Sequence, residues 1–182
     1  LDNLSDNAIM MKVKAGDLDG MGLLFARYHR QLYGFLFHMT YQREASEDMV
    51  QQVFYRMLKY RNSFTGNGEF IHWMYSIARN LLKDQGKRKM LIVSNTVDEM
   101  ADLLPGHTNI EDELHRKQAA QNLHKAIGKL SDDQRELLSL SRFQELKYQE
   151  IAQILNISEG AVKVRVHRAV CQLKEIYTKM EC

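Results

Sequence analysis

The chain has 182 residues, 45% of them hydrophobic, with 25 basic and 23 acidic side chains giving a net charge of +2. That composition supports one medium domain or two small ones with packed cores, and it excludes a disordered chain and a uniformly basic, histone-like DNA coat. No apolar run approaches a membrane span, and the opening segment LDNLSDNAIMMKVKAGD lacks the apolar stretch of a signal peptide, so a cytoplasmic location without membrane insertion is expected.

Apolar residues recur at helical spacing nearly throughout, with no alternating strand pattern of useful length, so the fold class is all-α. A first helix is expected over residues 6–15, stopping at Gly16. A second covers 20–40, with Leu23, Leu24, Tyr28, Leu32, Phe35 and Leu36 on its core side. Ser46 reads as the N-cap of a third helix ending near Arg61. Its buried side is Met49, Val50, Val53, Phe54 and Met57, and its outward side presents Asp48, Gln52, Tyr55 and Lys59 with Gln51 beside them. A solvated face would look the same, apart from the density of hydrogen-bonding groups.

Gly66 and Gly68 break the chain before a fourth helix from Glu69 to about Met90. Phe70, Ile71, Met74, Ile77, Ala78, Leu81 and Leu82 form its core side. That leaves His72, Ser76, Arg79 and Lys83 in an outward row, with Asn80 and Lys87 alongside and Trp73 at the border. Cations, an amide and an aromatic ring together suit an unstacked base, which needs a ring to stack on, donors for its edge and charge for its phosphate. Trp73 and Tyr75 fit a core role equally well.

Residues 79–89 carry five bases and one acid, whereas residues 98–113 carry six acids and no Lys or Arg. The stretch from Leu91 to Ile110 has weak periodicity and the only proline, Pro105, and reads as an acidic tether. A further helix over about 111–129 carries Leu123, Ala126 and Ile127. Ser131 and Gln134, in capping-box spacing, then open what reads as a four-turn helix. The expected organisation is two small helical bundles, 1–91 and 111–182, joined by a linker at 92–110.

In the second bundle the run KYQEIAQILNISEGAVKVRVHRAVCQLK reads as a helix-turn-helix. Ile151, Ile154 and Leu155 form the apolar side of its first helix, and Ala152 lets the second helix close down on it. Asn156 suits a left-handed turn, and Ser158 caps the second helix. There Val162, Val166, Ala169, Val170 and Leu173 share one stripe, leaving Gly160, Val164, His167 and Arg168 outward with Lys163 and Arg165 flanking. Cations reach phosphate and guanine, and a small apolar side chain such as Val164 can meet a thymine methyl.

Cys171 and Cys182 form no disulfide framework and no CxxC pair. Cys171 reads as a packing residue at the edge of the buried stripe, and His167 one turn away does not complete a metal site. No metal and no cofactor is expected. HExxH, P-loop and GxSxG motifs are absent, so no catalytic residue is assigned.

Three blocks in order carry a resemblance: SEDMVQQVFYRML, FIHWMYSIARNLLKDQGKRK, and the block from LSDDQRELL to HRAVCQLK. With them the chain resembles an extracytoplasmic-function (group-four) sigma factor of bacterial RNA polymerase. The resemblance implies that Asp48, Gln51, Gln52 and Tyr55 dock on core polymerase. It further implies that Arg79, Asn80 and Lys83 contact the nontemplate strand of the minus-ten element, with a flipped base held by the loop 63–69. Lys163, Arg165, His167 and Arg168 would then meet the minus-thirty-five element, and the linker would run through the polymerase toward the RNA exit path. Promoter DNA and core polymerase are the implied partners, and an anti-sigma factor is a candidate third. Gln52 stands where the family commonly has an acid, and Val164 where it commonly has a small hydroxyl residue. The rival reading is a helix-turn-helix regulator with an N-terminal ligand-sensing domain, which calls for a buried apolar pocket in residues 1–90.

Overall fold

Ser5 starts the first helix, α1 (Asp6–Lys14): its hydroxyl accepts from the Ala8 N–H at 3.3 Å, and Asp6 puts negative charge in the first turn. Gly16 follows with φ +110°, a conformation only glycine adopts freely, and turns the chain back into α2 (Asp19–Thr40). The two helices cross closely at Gly20, where a Cβ would lie 2.9 Å from Ile9 Cγ2 and 3.0 Å from Val13 Cγ2. Tyr41 in the left-handed conformation ends α2, its N–H reaching Phe37 O.

The computed structural model describes residues 4–89 and 110–181, with side chains described outside 86–89, 110–117 and 181. Helix α3 (Arg43–Lys59) begins three residues before the expected cap. Ser46 lies inside it, fully buried, donating to Gln42 O at 2.6 Å and bonding Thr40 Oγ1 at 2.7 Å. It ties the helix to the preceding turn instead of starting it. A 3-10 turn (Arg61–Ser63) follows, then α4 (Phe70–Lys89).

The expected linker falls outside the described residues except for its last position, where α5 (Ile110–Gly128) begins. The capping box of Ser131 and Gln134 opens α6 as the spacing predicts, but α6 (Asp132–Leu138) runs only two turns. A π-turn (Ser139–Phe143) takes over, and Glu145 at φ +53° redirects the chain into α7 (Tyr148–Leu155) and α8 (Glu159–Glu181). Among the described residues there is no strand.

Amphipathic helices bury one stripe each, and here the stripes of both bundles meet. Leu24, Leu32, Phe35, Leu36, Val53 and Met74 from the first share a continuous apolar cluster with Leu137, Leu140, Ile151, Ile154 and Val162 from the second. The seam runs between α2 and α6, between α2 and the π-turn, and between α4 and α7. Phe37, which the periodicity leaves off the core side of α2, is buried. His38 stacks on Phe143 at 3.9 Å, His124 meets the edge of Tyr41 at 4.0 Å, and Arg135 donates to Met39 O while lying over the Tyr41 ring.

Burial lowers the pKa of His38, against a ring-nitrogen contact with Gly34 O, and burial together with neighbouring His38 pulls His124 down to about 4. Both rings are therefore neutral at pH 7. Unfolded histidines titrate near about 6.5, so this stabilisation is complete above that value and drains away as pH falls toward the folded pKa. We expect the thermal midpoint to drop between pH 6.5 and pH 4.5, and His124→Phe, which keeps the ring contacts, to flatten that drop. An identical pH profile for the variant would show that His124 is not held neutral by the seam.

Candidate nucleic-acid interface

Helix α3 buries Met49, Val50, Val53, Phe54 and Met57, as its spacing requires. The opposite side presents Asp48, Gln51, Gln52 and Tyr55 to solvent, Tyr55 with 64% of its surface exposed. A phenol left this open on a well-packed helix forms, with one carboxylate and two amides, an exposed face rich in hydrogen-bonding groups.

Helix α4 is anchored by a side chain that the sequence pattern does not single out. Asn7 of α1 accepts from the Phe70 N–H at 2.7 Å and donates to Gly68 O at 2.9 Å, capping α4 across 63 residues of chain. Lys14 donates to Phe64 O at 2.6 Å, and Met11 lies beside Gly66, which has φ +74°. The loop 64–69 is thus held at its back by α1. Its aromatic floor is Phe64 and Phe70 with Trp73, whose ring centroid is 5.2 Å from that of Phe64. Trp73 is half-buried, packing on Phe64 and Phe70 while part of its surface stays exposed. Tyr75 is fully buried edge-on to Phe35, with its hydroxyl pKa raised by burial, and belongs to the core.

The outward row of α4 divides. Asn80 and Lys83 are exposed. His72 and Ser76 are half-buried, Ser76 donating to His72 O, and the side chain of Lys87 lies outside the described residues. Arg79 does not face solvent as its position in the row predicts. It reaches the second bundle, where Nε meets Glu136 Oε1 at 2.6 Å, Nη2 meets Glu136 Oε2 at 3.3 Å and Nη1 donates to Ile154 O at 2.9 Å. Periodicity places a residue on a face, but it cannot show that a second bundle lies over that face.

In the helix-turn-helix, Asn156 has φ 54° and ψ 50°, and Ser158 Oγ accepts from the Ala161 N–H at 3.2 Å. Val162, Val166 and Ala169 are buried, and Gly160, Lys163, Val164, Arg165, His167 and Arg168 are all exposed along one side of α8. Lys163 pairs with Glu159 at 3.1 Å, a contact open to solvent and so easily exchanged for a phosphate. A Cβ at Gly160 would meet nothing within 4 Å, which leaves the start of α8 open to close approach. Cys171 is exposed, contrary to its expected place at the edge of the stripe. One residue past Val170 turns the side chain about 100° away from the core. Its sulfur lies 3.9 Å from the His167 ring, and among the described residues no group of three or more His, Cys, Asp or Glu could hold a metal.

Two family models match the chain: Sigma-70 region 2 over residues 24–90 and Sigma-70 region 4 over residues 120–173. The sigma factor BldN of Streptomyces coelicolor is 30% identical over 177 residues, covering 94% of this chain and 67% of that protein. The sigma factor YlaC of Bacillus subtilis is 30% identical over 162 residues, covering 88% and 94%. The fold is also that of the sigma factor RpoE solved with the anti-sigma factor NepR from Bartonella quintana. The match has a TM-score of 0.70 at 22% identity and covers 86% of this chain and 96% of that one. The chain belongs to the extracytoplasmic-function sigma factors of bacterial RNA polymerase.

Because Asn7 supplies the cap that α4 cannot supply from its own sequence, Asn7→Ala should cost about 1–2 kcal/mol in urea unfolding. A loss indistinguishable from zero would show that the loop 64–69 is held by other contacts.

Proposed function

We propose that this sigma factor docks on core RNA polymerase through Asp48, Gln51, Gln52 and Tyr55 of α3, engages the melted minus-ten strand along α4, and reads the minus-thirty-five element with α8. The observation that carries the reading is the helix-turn-helix itself. Its turn geometry and cap support a helix whose six outward positions from Gly160 to Arg168 are all exposed, four of them basic or imidazole side chains. Such a helix offers phosphate contacts for position and base-edge contacts for sequence. On α4 the roles divide by chemistry. Lys83 supplies charge to any strand, whereas the Asn80 amide both donates and accepts and so discriminates among bases. Arg79 belongs to the same row and meets DNA once it is released from Glu136. The residues 1–91 act as one module and 111–182 as the other. An anti-sigma factor enters as a further partner, for which the exposed apolar side chains Phe25 and Leu123 offer surface.

No described helix is long and apolar enough to cross a membrane, and work on polymerase places the chain in the cytoplasm. The rival ligand-sensing reading finds little support. A cavity between α1, α2, α4 and α7 has Phe70 and Ile71 in its lining, but Asp6, Arg27, Glu69 and Glu150 share it and make it a charged site poorly suited to an apolar ligand.

The test is reconstitution: purified chain plus core polymerase should start transcription at a promoter that neither transcribes alone. In that assay Asp48→Ala with Gln52→Ala should lower affinity for core polymerase while leaving helicity unchanged, since both side chains are exposed. Unchanged affinity in competition would remove the docking assignment. Arg168→Ala should cost about 1–3 kcal/mol if it holds a base, and less if it touches phosphate only. An equal loss on promoters with and without the upstream element would contradict its placement. Lys83→Ala should lower the salt slope of strand binding by about 0.7, while Asn80→Ala should leave the slope unchanged and relax preference at one minus-ten position. A uniform loss across sequences for Asn80→Ala would mean that it is not a base reader.

A further inference from the structure

We propose that α1 is a specificity element of this sigma factor: Asn7 and Lys14 are positioning residues that fix the loop 64–69 in the shape that accepts a minus-ten base. This rests on the reading that the minus-ten strand runs along α4, whose first turn the loop joins.

Asn7, Met11 and Lys14 stand at i, i+4 and i+7 of α1, so they share one stripe, beside the stripe of Ile9, Met10 and Val13 that enters the core. Every member of the first stripe touches the loop or the helix it opens. Lys14 Nζ donates to Phe64 O at 2.6 Å, Asn7 Nδ2 donates to Gly68 O at 2.9 Å, and Asn7 Oδ1 accepts from the Phe70 N–H at 2.7 Å. Met11 lies beside Gly66, where a Cβ would come 3.5 Å from its sulfur. The main chain of the loop is thus fastened at both ends and packed at its middle by a single helix.

The side chains of the loop itself are left for a ligand. Thr65, Asn67 and Glu69 are exposed, a hydroxyl, an amide and a carboxylate able to meet a base edge, and the rings of Phe64, Phe70 and Trp73 pack together at the two ends. Little within the loop holds these groups in place. Two of its six residues are glycines, Gly66 has φ +74°, and the bond from the Asn67 N–H to Thr65 Oγ1 is long at 3.4 Å. Its shape comes from outside, and α1 supplies it. A loop already ordered does not have to be ordered by the strand, and groups held to within about 0.5 Å discriminate where loose ones do not. Lys14 is half-buried with its ammonium on a backbone carbonyl, whereas Lys83 is exposed. Lys14 therefore acts on the strand through the loop and not by its charge.

The experiment uses the holoenzyme, full chain with core polymerase, on promoters pre-melted across the minus-ten element and substituted at each of its positions. Two variants separate positioning from folding. Lys14→Met keeps the side-chain stem and removes the donor. Asn7→Asp keeps an acceptor for the Phe70 N–H, and with it the cap on α4, but cannot donate to Gly68 O. We expect each to cut discrimination at one minus-ten position, the same for both, by about fivefold to thirtyfold. The other positions should be unaffected, the salt slope of Lys14→Met unchanged, and Lys14→Arg should recover most of the loss. An equal loss at every position, or none at any, overturns the proposal and leaves α1 a structural brace. A salt slope lowered by Lys14→Met as by Lys83→Ala overturns it as well, because Lys14 would then touch phosphate itself. The double variant Thr65→Ala with Asn67→Ala tests the loop separately. If it shifts preference at one position while the α1 variants do not, the loop reads the strand without α1 and the proposal fails. If it shifts none while Lys83→Ala still weakens binding, the loop lies off the strand, and the proposal fails with the α4 reading intact. Should Lys14→Met lose helicity, Asn7→Asp carries the test.

Discussion

An arginine that reaches across the seam sets the terms for the rest of this molecule. Arg79 grows from the helix proposed above to present cations to DNA, yet its guanidinium is held by a carboxylate and a helix-end carbonyl of the other bundle. Removing one partner of a sheltered pair strands the other, which makes the contact selective as well as attractive. It also fixes what α6 and α7 can do. Glu136 has to sit in the last turns of α6, and α7 has to end at Ile154 and Leu155, for one guanidinium to serve both. The two-turn length of α6 and the π-turn after it bring Leu140 and Gln144 against α2 in the same register.

Much of this fold is legible in the sequence because it is local. The cap at Ser131, the left-handed Asn156, the stripe of Val162, Val166 and Ala169, and the buried side of α3 follow from spacing and side-chain chemistry that act within one or two turns. What the sequence hides is long-range. Ser46 looks like a cap because it precedes an apolar run, but its hydroxyl is used by Gln42 and Thr40, and α3 starts earlier. Asn7 looks like an ordinary polar residue until the start of α4 arrives beside it from 63 positions away. Phe37 and His38 fall outside the stripe of α2 because they face the second bundle, which local periodicity does not see.

For the candidate site the division is the same. The α3 and α8 faces are exposed among the described residues, and outward position alone places them. On α4 part of the outward row lies at an interface: among its described side chains Asn80 and Lys83 are exposed, His72 and Ser76 half-buried, and Arg79 covered by the second bundle. The sequence offers residue types suited to binding a strand. It does not show which of them the chain itself already occupies.

The seam holds the two bundles together with neutral histidines, an arginine over a tyrosine ring and one sheltered ion pair beside the apolar cluster they share. Arg79 is held by Glu136 in the free chain and is proposed to meet the minus-ten strand, so use of that face calls for separating the bundles, a cost that binding polymerase and promoter would offset. The most direct measurement is the distance between spin labels at Glu47 and Glu175, with Cys171 and Cys182 replaced by serine, before and after core polymerase is added. The account predicts one narrow, short distribution in the free chain that moves to longer distances on binding polymerase. A broad distribution in the free chain, or one that polymerase leaves unmoved, would contradict it.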